Sequence, residues 1–330
     1  MTTAVPMAEI WRGDFLESIH RGHAVICDAS GDIVQAWGDP DAVILPRSSC
    51  KMVQALPLIE SGAADAHGLT TEHLALACAS HQGAAIHTDR VQRWLAALGL
   101  GESDLRCGPQ HPDDRVAGNA LIRAQESPCQ YHNNCSGKHS GFLTLARQLK
   151  AGPEYVDPAH PVQLAVREAF ESVTGQSSPG FGIDGCSAPN FATTVHGLSR
   201  AMAFFANATD SSARGRAARR LVSAMTTHPD LVAGEGRACT ELMNAIGGRT
   251  AIKTGAEGVF TAILPEQGLG VAVKIEDGAT RAAECAMVSI LVKLGVLNPE
   301  SPAALKRRNA PIPSRRKITV GYLRPAAEAF

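Results

Sequence analysis

Apolar positions along the chain follow two periods. Phe15 to Cys27 and Ile33 to Trp37 are two strand-like runs around the turn cluster Asp28-Ala29-Ser30-Gly31-Asp32, which predicts a β-hairpin. A second hairpin is predicted at Val259-Phe260-Thr261-Ala262-Ile263-Leu264 and Leu269-Gly270-Val271-Ala272-Val273-Lys274-Ile275, two β-branched runs around a turn at 265–268. Elsewhere the period is helical. Met52, Val53, Leu56 and Ile59 recur at that spacing between Pro46 and Gly62, with Ser48 or Ser49 placed to cap the start. Thr71 caps a helix that ends at Ser80-His81-Gln82-Gly83. Residues 88–98 carry Val91, Trp94, Leu95 and Leu98 on one face. Further helices are expected at 138–149, 162–174, 188–207, 214–227, 237–246 and 280–294. Residues 99–137 read as an irregular loop, and the proline-rich tail leads to a last strand at 317–323. Strands near both ends and helices between them predict an α/β fold of the α+β type. In it, an antiparallel sheet from about 1–45 and 250–325 is covered by helices, with a helical region at about 46–249, all in one domain, 1–330.

Composition narrows this picture. Hydrophobic residues make up 45% of the 330 and aromatics only 5%, so a substantial core must rest on Ala, Leu, Val and Ile. The net charge of −1 gives no footprint for nucleic acid or a membrane surface. The basic clusters at 214–220 and 306–308 read as solvated faces, with no exposed aromatics beside them. Glu9, Arg12, Asp14 and Glu17 break up the N-terminal stretch, so no signal peptide is expected. No apolar run reaches the roughly 18 residues of a membrane span. Nine cysteines, an odd number without a secretory signal, read as reduced thiols in a cytoplasmic protein. Cys27, Cys78 and Cys285 lie in apolar runs and behave as small hydrophobes.

The chemistry starts at Arg47-Ser48-Ser49-Cys50-Lys51. A serine hydroxyl becomes a nucleophile when a base takes its proton. A lysine one helical turn away can be that base when neutral, a form favoured by burial and by a second cation. The spacing alone is weak, for it recurs in the basic tail at Ser314-Arg315-Arg316-Lys317. Lys253-Thr254-Gly255, on the strand before the second hairpin, strengthens it. Ser-x-x-Lys opening a helix, followed far downstream by Lys-Thr-Gly on a strand, is the layout of penicillin-recognising acyl-transfer enzymes. Ser80 supplies a second hydroxyl that can face Lys253. His81 is as well placed to complement a helix dipole as to catalyse.

Two loops carry the remaining chemistry: His132-Asn133-Asn134-Cys135-Ser136-Gly137-Lys138-His139 and Gly182-Ile183-Asp184-Gly185-Cys186. Each is read as opening a helix. Cys135 and Cys186 can bind zinc as thiolates with further ligands from His132, Lys138, His139 or Asp184. The alternative is two glycine-rich caps with incidental thiols.

Together these blocks, with Ala79-Ser80-His81 and Lys253-Thr254-Gly255-Ala256-Glu257-Gly258, resemble the rhizobial-type L-asparaginases over nearly the whole chain. The resemblance implies a fold similar to serine β-lactamases and glutaminases, and a homodimer. It implies catalytic Ser–Lys pairs at Ser48–Lys51 and Ser80–Lys253, and a zinc ion held by Cys135, Lys138 and Cys186. The expected reaction is hydrolysis of L-asparagine to L-aspartate and ammonia. Arg47, with a fork suited to a carboxylate, His139 and Asp184 are the expected substrate-binding residues. Two other readings stand beside it: a β-lactamase-like serine acyl transferase, and a zinc-dependent small-molecule binding protein without turnover.

Overall fold

The computed structural model describes residues 4–327, 329 and 330. Residues 1–3, part of the 1–45 segment expected to build the sheet, lie outside the described residues. The chain forms two compact units, one of Met1–Ser49, Thr193–Asn207 and Glu241–Phe330, the other of Cys50–Ala192 and Ala208–Thr240.

The first unit is an eight-stranded antiparallel sheet. Its order is Ala310–Pro313, Thr319–Pro325, Val5–Arg12, Phe15–Cys27, Leu269–Ile275, Val259–Leu264 and Ala251–Thr254, with Ile33–Trp37 also pairing the 15–27 strand. Both ends of the chain thus meet in one sheet, as the distribution of strand patterns predicts. Ala24, Val25, Ile26 and Cys27 are all but inaccessible to water, whereas Phe15 at the other end of the same strand is 80% exposed. The buried half therefore reads as a continuous apolar run and not as an alternating one. The Val195–Ala206 helix packs on the three central strands. Gly270 makes that approach possible, because a Cβ there would lie 2.0 Å from the backbone nitrogen of Ala203. Ser199 Oγ donates to the carbonyls of Val25 and Gly270, both at 3.0 Å. A hydroxyl under the sheet is thereby satisfied.

The second unit is helical. Its centre is Ser136–Gln148, in which every residue from Ser136 to Ala146 is buried. A helix buried all round sits in a core, and this one is rich in small residues. Gly137 lets it pass the carbonyl of Leu76, which a Cβ would approach to 2.4 Å. Its polar groups are paired along the helix: Ser140 Oγ donates to Ser136 O and Thr144 Oγ1 to Ser140 O, while Trp94 Nε1–H donates to Thr144 Oγ1 at 3.1 Å. Among the described residues no helix is long and apolar enough to cross a membrane.

Four expectations about elements need correction. Residues 115–124, placed in a loop, form a helix capped by the Asp114 carboxylate, which accepts from the Ala117 N–H. The expected 188–207 helix begins only at Val195, because Pro189–Phe191 pairs with Phe181–Ile183 and Thr194 provides the cap. The Asp184–Cys186 loop therefore opens a strand and not a helix. The strands Val5–Arg12 and Ala310–Pro313 were not foreseen.

Candidate active site

Ser48 lies on the first unit's side of the division, in a 3-10 turn spanning Arg47–Cys50. Neither serine caps a helix. Ser49 turns back instead, donating its N–H (3.2 Å) and its Oγ (2.8 Å) to the carbonyl of Pro46. Arg47 adopts φ +54°, a left-handed conformation that costs a non-glycine residue of order 1 kcal/mol. Pro46 limits the preceding residue and the Pro46 carbonyl holds the following one, so the turn has little freedom. Ser49 is fully buried, while Ser48 remains half-exposed.

This turn rests on the Lys253-bearing strand. Thr261 Oγ1 donates to the carbonyls of both Ser49 (3.1 Å) and Lys253 (3.2 Å). At Gly255 a Cβ would lie 2.7 Å from Pro46 O and 3.1 Å from Ser49 N, so the glycine of Lys-Thr-Gly is the space the turn occupies. Lys253 is wholly buried, with its Nζ donating to Thr254 O at 2.9 Å. The first unit thus brings the Ser48 and Lys253 segments together.

The second unit begins its first helix with Lys51, which is 1% exposed. Its Nζ donates to Ala79 O and, at 3.0 Å, to Cys135 Sγ. Lys51 is therefore bound to the residue before Ser80 and to the first expected metal ligand. Ser80 is nearly buried, and its N–H donates to Val232 O at 2.9 Å. His81 fixes this stretch. Its N–H donates to Asn134 O, its Nδ1 accepts from Gly83 N–H at 3.1 Å, and its Nε2–H donates to Ser136 Oγ at 2.9 Å. Ser136 passes the bond on to Tyr131 O. Burial, then the neighbouring His87 and Lys51, hold His81 well below the usual histidine range, so it is neutral. Of the expected Ser80–Lys253 pair, one member falls in each unit.

Cys135, Lys138 and Cys186 all belong to the second unit and are buried. Cys186 is presented by a tight turn: Ser187 N–H donates to Asp184 O, Asp184 N–H donates to Ala188 O, and Ser187 takes φ +69°. Lys138 Nζ lies 3.2 Å from Cys186 Sγ. A hydrogen bond from Cys135 and the charge of Lys138 pull the Cys186 thiol well below its ordinary range, against the effect of burial. Burial works against the Lys138 ammonium, but the two sulfurs outweigh it and raise Lys138. Cys135 is raised well above its range by its bond to Cys186 and by burial. The N–H of Cys135 is held by Asn133 Oδ1 at 2.9 Å, and Asn133 Nδ2 in turn donates to the carbonyls of Cys107 and Gly108.

His139 is fully buried on the same helix. Tyr155 O–H bonds its Nδ1 at 2.9 Å, while its Nε2 has no well-formed hydrogen bond among the described residues. Cys186 is nonetheless close enough to oppose the lowering of His139 that burial causes. Asp184 is half-exposed, and its carboxylate accepts from Gly185 N–H. Among the described residues no three His, Cys, Asp or Glu side chains form a metal-binding group. A metal here would therefore need the amine of Lys138 beside the two sulfurs. That donor set, two sulfurs that would bind as thiolates and one nitrogen, fits zinc, with His139 Nε2 lacking a well-formed hydrogen bond nearby.

Asn133, Thr261 and Tyr155 were not singled out from sequence. Only Asn133 carried a signal, as an Asx residue two positions before Cys135.

No curated protein sequence matches the chain. Among solved structures, Mglu in its tris and glutamate form is similar at 14% identity and TM-score 0.46, over 90% of this chain and 64% of that one. Its native form is similar at 16% identity and TM-score 0.44, over 85% and 66%, so the chain spans about two thirds of Mglu. A beta-lactamase from Mycobacterium bovis is similar at 16% identity and TM-score 0.44, over 82% of this chain and 94% of that one. The family model for L-asparaginase II matches residues 8–325, and the chain belongs to that family.

Proposed function

We propose that this amidohydrolase of the L-asparaginase II family hydrolyses the side-chain amide of L-asparagine through Ser48. The observation that carries the reading is Lys51. It is a fully buried amine one turn after a half-exposed serine, bonded to the Ser80 segment on one side and to Cys135 on the other. In the proposed reaction, Lys51 in its neutral form keeps its two donated N–H bonds and accepts the Ser48 proton on its lone pair. Ser48 Oγ attacks the amide carbon, ammonia leaves with a proton returned from lysine, and water cleaves the aspartyl ester. Backbone N–H groups of the Ser48 turn would hold the oxyanion. The helix after it, Lys51–Gln54, has four residues and adds little dipole. Lys253, on the strand beneath the turn, and Ser80 would assist proton movement.

Cys135, Lys138 and Cys186 would hold zinc, which when bound would supply a Lewis acid for the substrate's carboxylate and deprotonated amino group. Arg47 would pair with the α-carboxylate, and His139 and Asp184 would steady the donor set and the substrate. The proposal includes a homodimer, which sedimentation can read.

The test is ammonia release from L-asparagine by the wild type and by Ser48→Ala, with bound zinc quantified in both. Activity lost in the variant with zinc retained supports the assignment. No release by folded, zinc-loaded wild type removes it, and hydrolysis of a chromogenic β-lactam in its place would make the chain an acyl transferase of another kind.

A further inference from the structure

The Ala213–Thr227 helix carries Arg214, Arg216, Arg219 and Arg220 and no acidic residue. This arrangement works against the helix. Arg214 and Arg216 place positive charge in the first turn, where the dipole disfavours it. Arg216 stands at i+3 and i+4 from Arg219 and Arg220, a like-charge spacing that destabilises a helix. Arg214 is accounted for within the fold, because its guanidinium is bonded by Glu60 and Glu168. The other three line a cavity of ≈ 620 Å³ in the second unit. That size suits a small organic ligand.

The lining is divided chemically. Leu69 and Leu74 supply apolar surface, while Thr70, Thr71, Ser223, Asp210 and the three arginines supply polar groups. Arg219 pairs with Asp210 and Arg220 with Asp65, both exposed carboxylates, and such surface pairs contribute little. Arg216 has no carboxylate partner among the described residues. Its Nη1 donates to the backbone carbonyl of Asp210. Asp210 is the one carboxylate among the lining residues.

We propose that this cavity binds a phosphate monoester with an apolar organic group. Two guanidiniums one helical turn apart bracket a dianion with bidentate hydrogen bonds. Asp210 gives way to the phosphate at Arg219, and the organic group lies on Leu69 and Leu74. The proposal does not depend on the asparaginase reading.

Calorimetric titration of the full chain with phenyl phosphate and with inorganic phosphate, at 0.15 M salt, tests it. Phenyl phosphate binds saturably at one site and more tightly than inorganic phosphate. Arg216→Gln and Arg219→Gln each weaken it at least tenfold. Arg167→Gln, which removes the same charge from an exposed arginine paired with Glu171 elsewhere in the unit, leaves it within twofold. Arg216 and Arg219 are exposed, so the variants are expected to fold, which their melting temperatures check. Absence of saturable binding, equal weakening by Arg167→Gln, or undiminished binding in Arg216→Gln overturns the proposal.

Discussion

Lys51 Nζ donates a hydrogen bond to Cys135 Sγ at 3.0 Å, so the expected base and an expected metal ligand share one contact. Their roles separate by substitution. Lys51→Met keeps the buried volume and removes the amine. Its turnover of L-asparagine falls by about 10²–10⁴, the usual contribution of a positioned base. Its affinity for Co²⁺, read from the thiolate absorption band, stays equal or tightens, because an N–H donor that competes for Cys135 Sγ is gone. Cys186→Ala loses that band. A Lys51→Met protein with normal turnover removes lysine from the proposed mechanism.

Ser48 and Ser49 are neighbours with opposite expectations. Ser49→Ala deletes a buried bond to Pro46 O and lowers unfolding free energy by about 1 kcal/mol, with kcat within a few-fold. Ser48→Ala leaves stability within about 0.5 kcal/mol and abolishes turnover. Denaturant titration and ammonia release on the two variants decide it, and exchanged outcomes would move the nucleophile to Ser49.

Gly255→Ala drives a Cβ against Pro46 O and Ser49 N. Overpacking of this kind costs about 1–3 kcal/mol, and here the strain falls on the turn that carries Ser48. The expected result is a kcat loss of at least tenfold in protein that still unfolds cooperatively. Wild-type kcat in that variant would show that the turn can shift without consequence.

His81 and His87 stack with ring centroids 4.8 Å apart, and burial lowers both. His87 Nε2–H donates to Asp230 O, and its Nδ1 has no partner among the described residues, so the imidazolium would bury an unbonded N–H. A histidine lowered in the folded state leaves the unfolded chain binding more protons. Stability is therefore full above the unfolded value of about 6.5 and declines as pH falls through it toward the lower folded value. His87→Phe should reduce the slope of unfolding free energy against pH near pH 6 by up to about one proton. An unchanged slope, measured by urea titration from pH 5 to 8, would show that His87 does not contribute.

The two hairpins were readable because turn residues bracket runs of β-branched ones. The 115–124 helix was not, although Val116, Ala117, Ala120 and Leu121 recur at helical spacing, because Gly118 and Asn119, both weak helix formers, interrupt it within a loop-like stretch. Pro311 and Pro313 read as a tail, but Ala310–Pro313 is the sheet's edge, where a missing N–H is tolerated. In the site, Ser-x-x-Lys, Lys-Thr-Gly and the paired cysteine loops were legible as residue types in order. The bonds that set them were not. Thr261 lies inside an apolar strand run, and nothing local in that run marks its hydroxyl as the bridge between the carbonyls of Ser49 and Lys253. The role of His81 depends on a partner, Ser136, that is remote in sequence.

The 15–27 strand lies between the 5–12 strand, its neighbour in sequence, and the 269–275 strand, which a ribosome makes much later. Pairing so distant in sequence delays folding, because loop closure must precede the contacts that reward it. During synthesis Ala24, Val25, Ile26 and Cys27 remain without the Leu269–Ile275 partner that pairs them in the finished sheet. A nascent chain halted before residue 269 should therefore be the form that engages chaperones, and release of those contacts should coincide with emergence of the second hairpin.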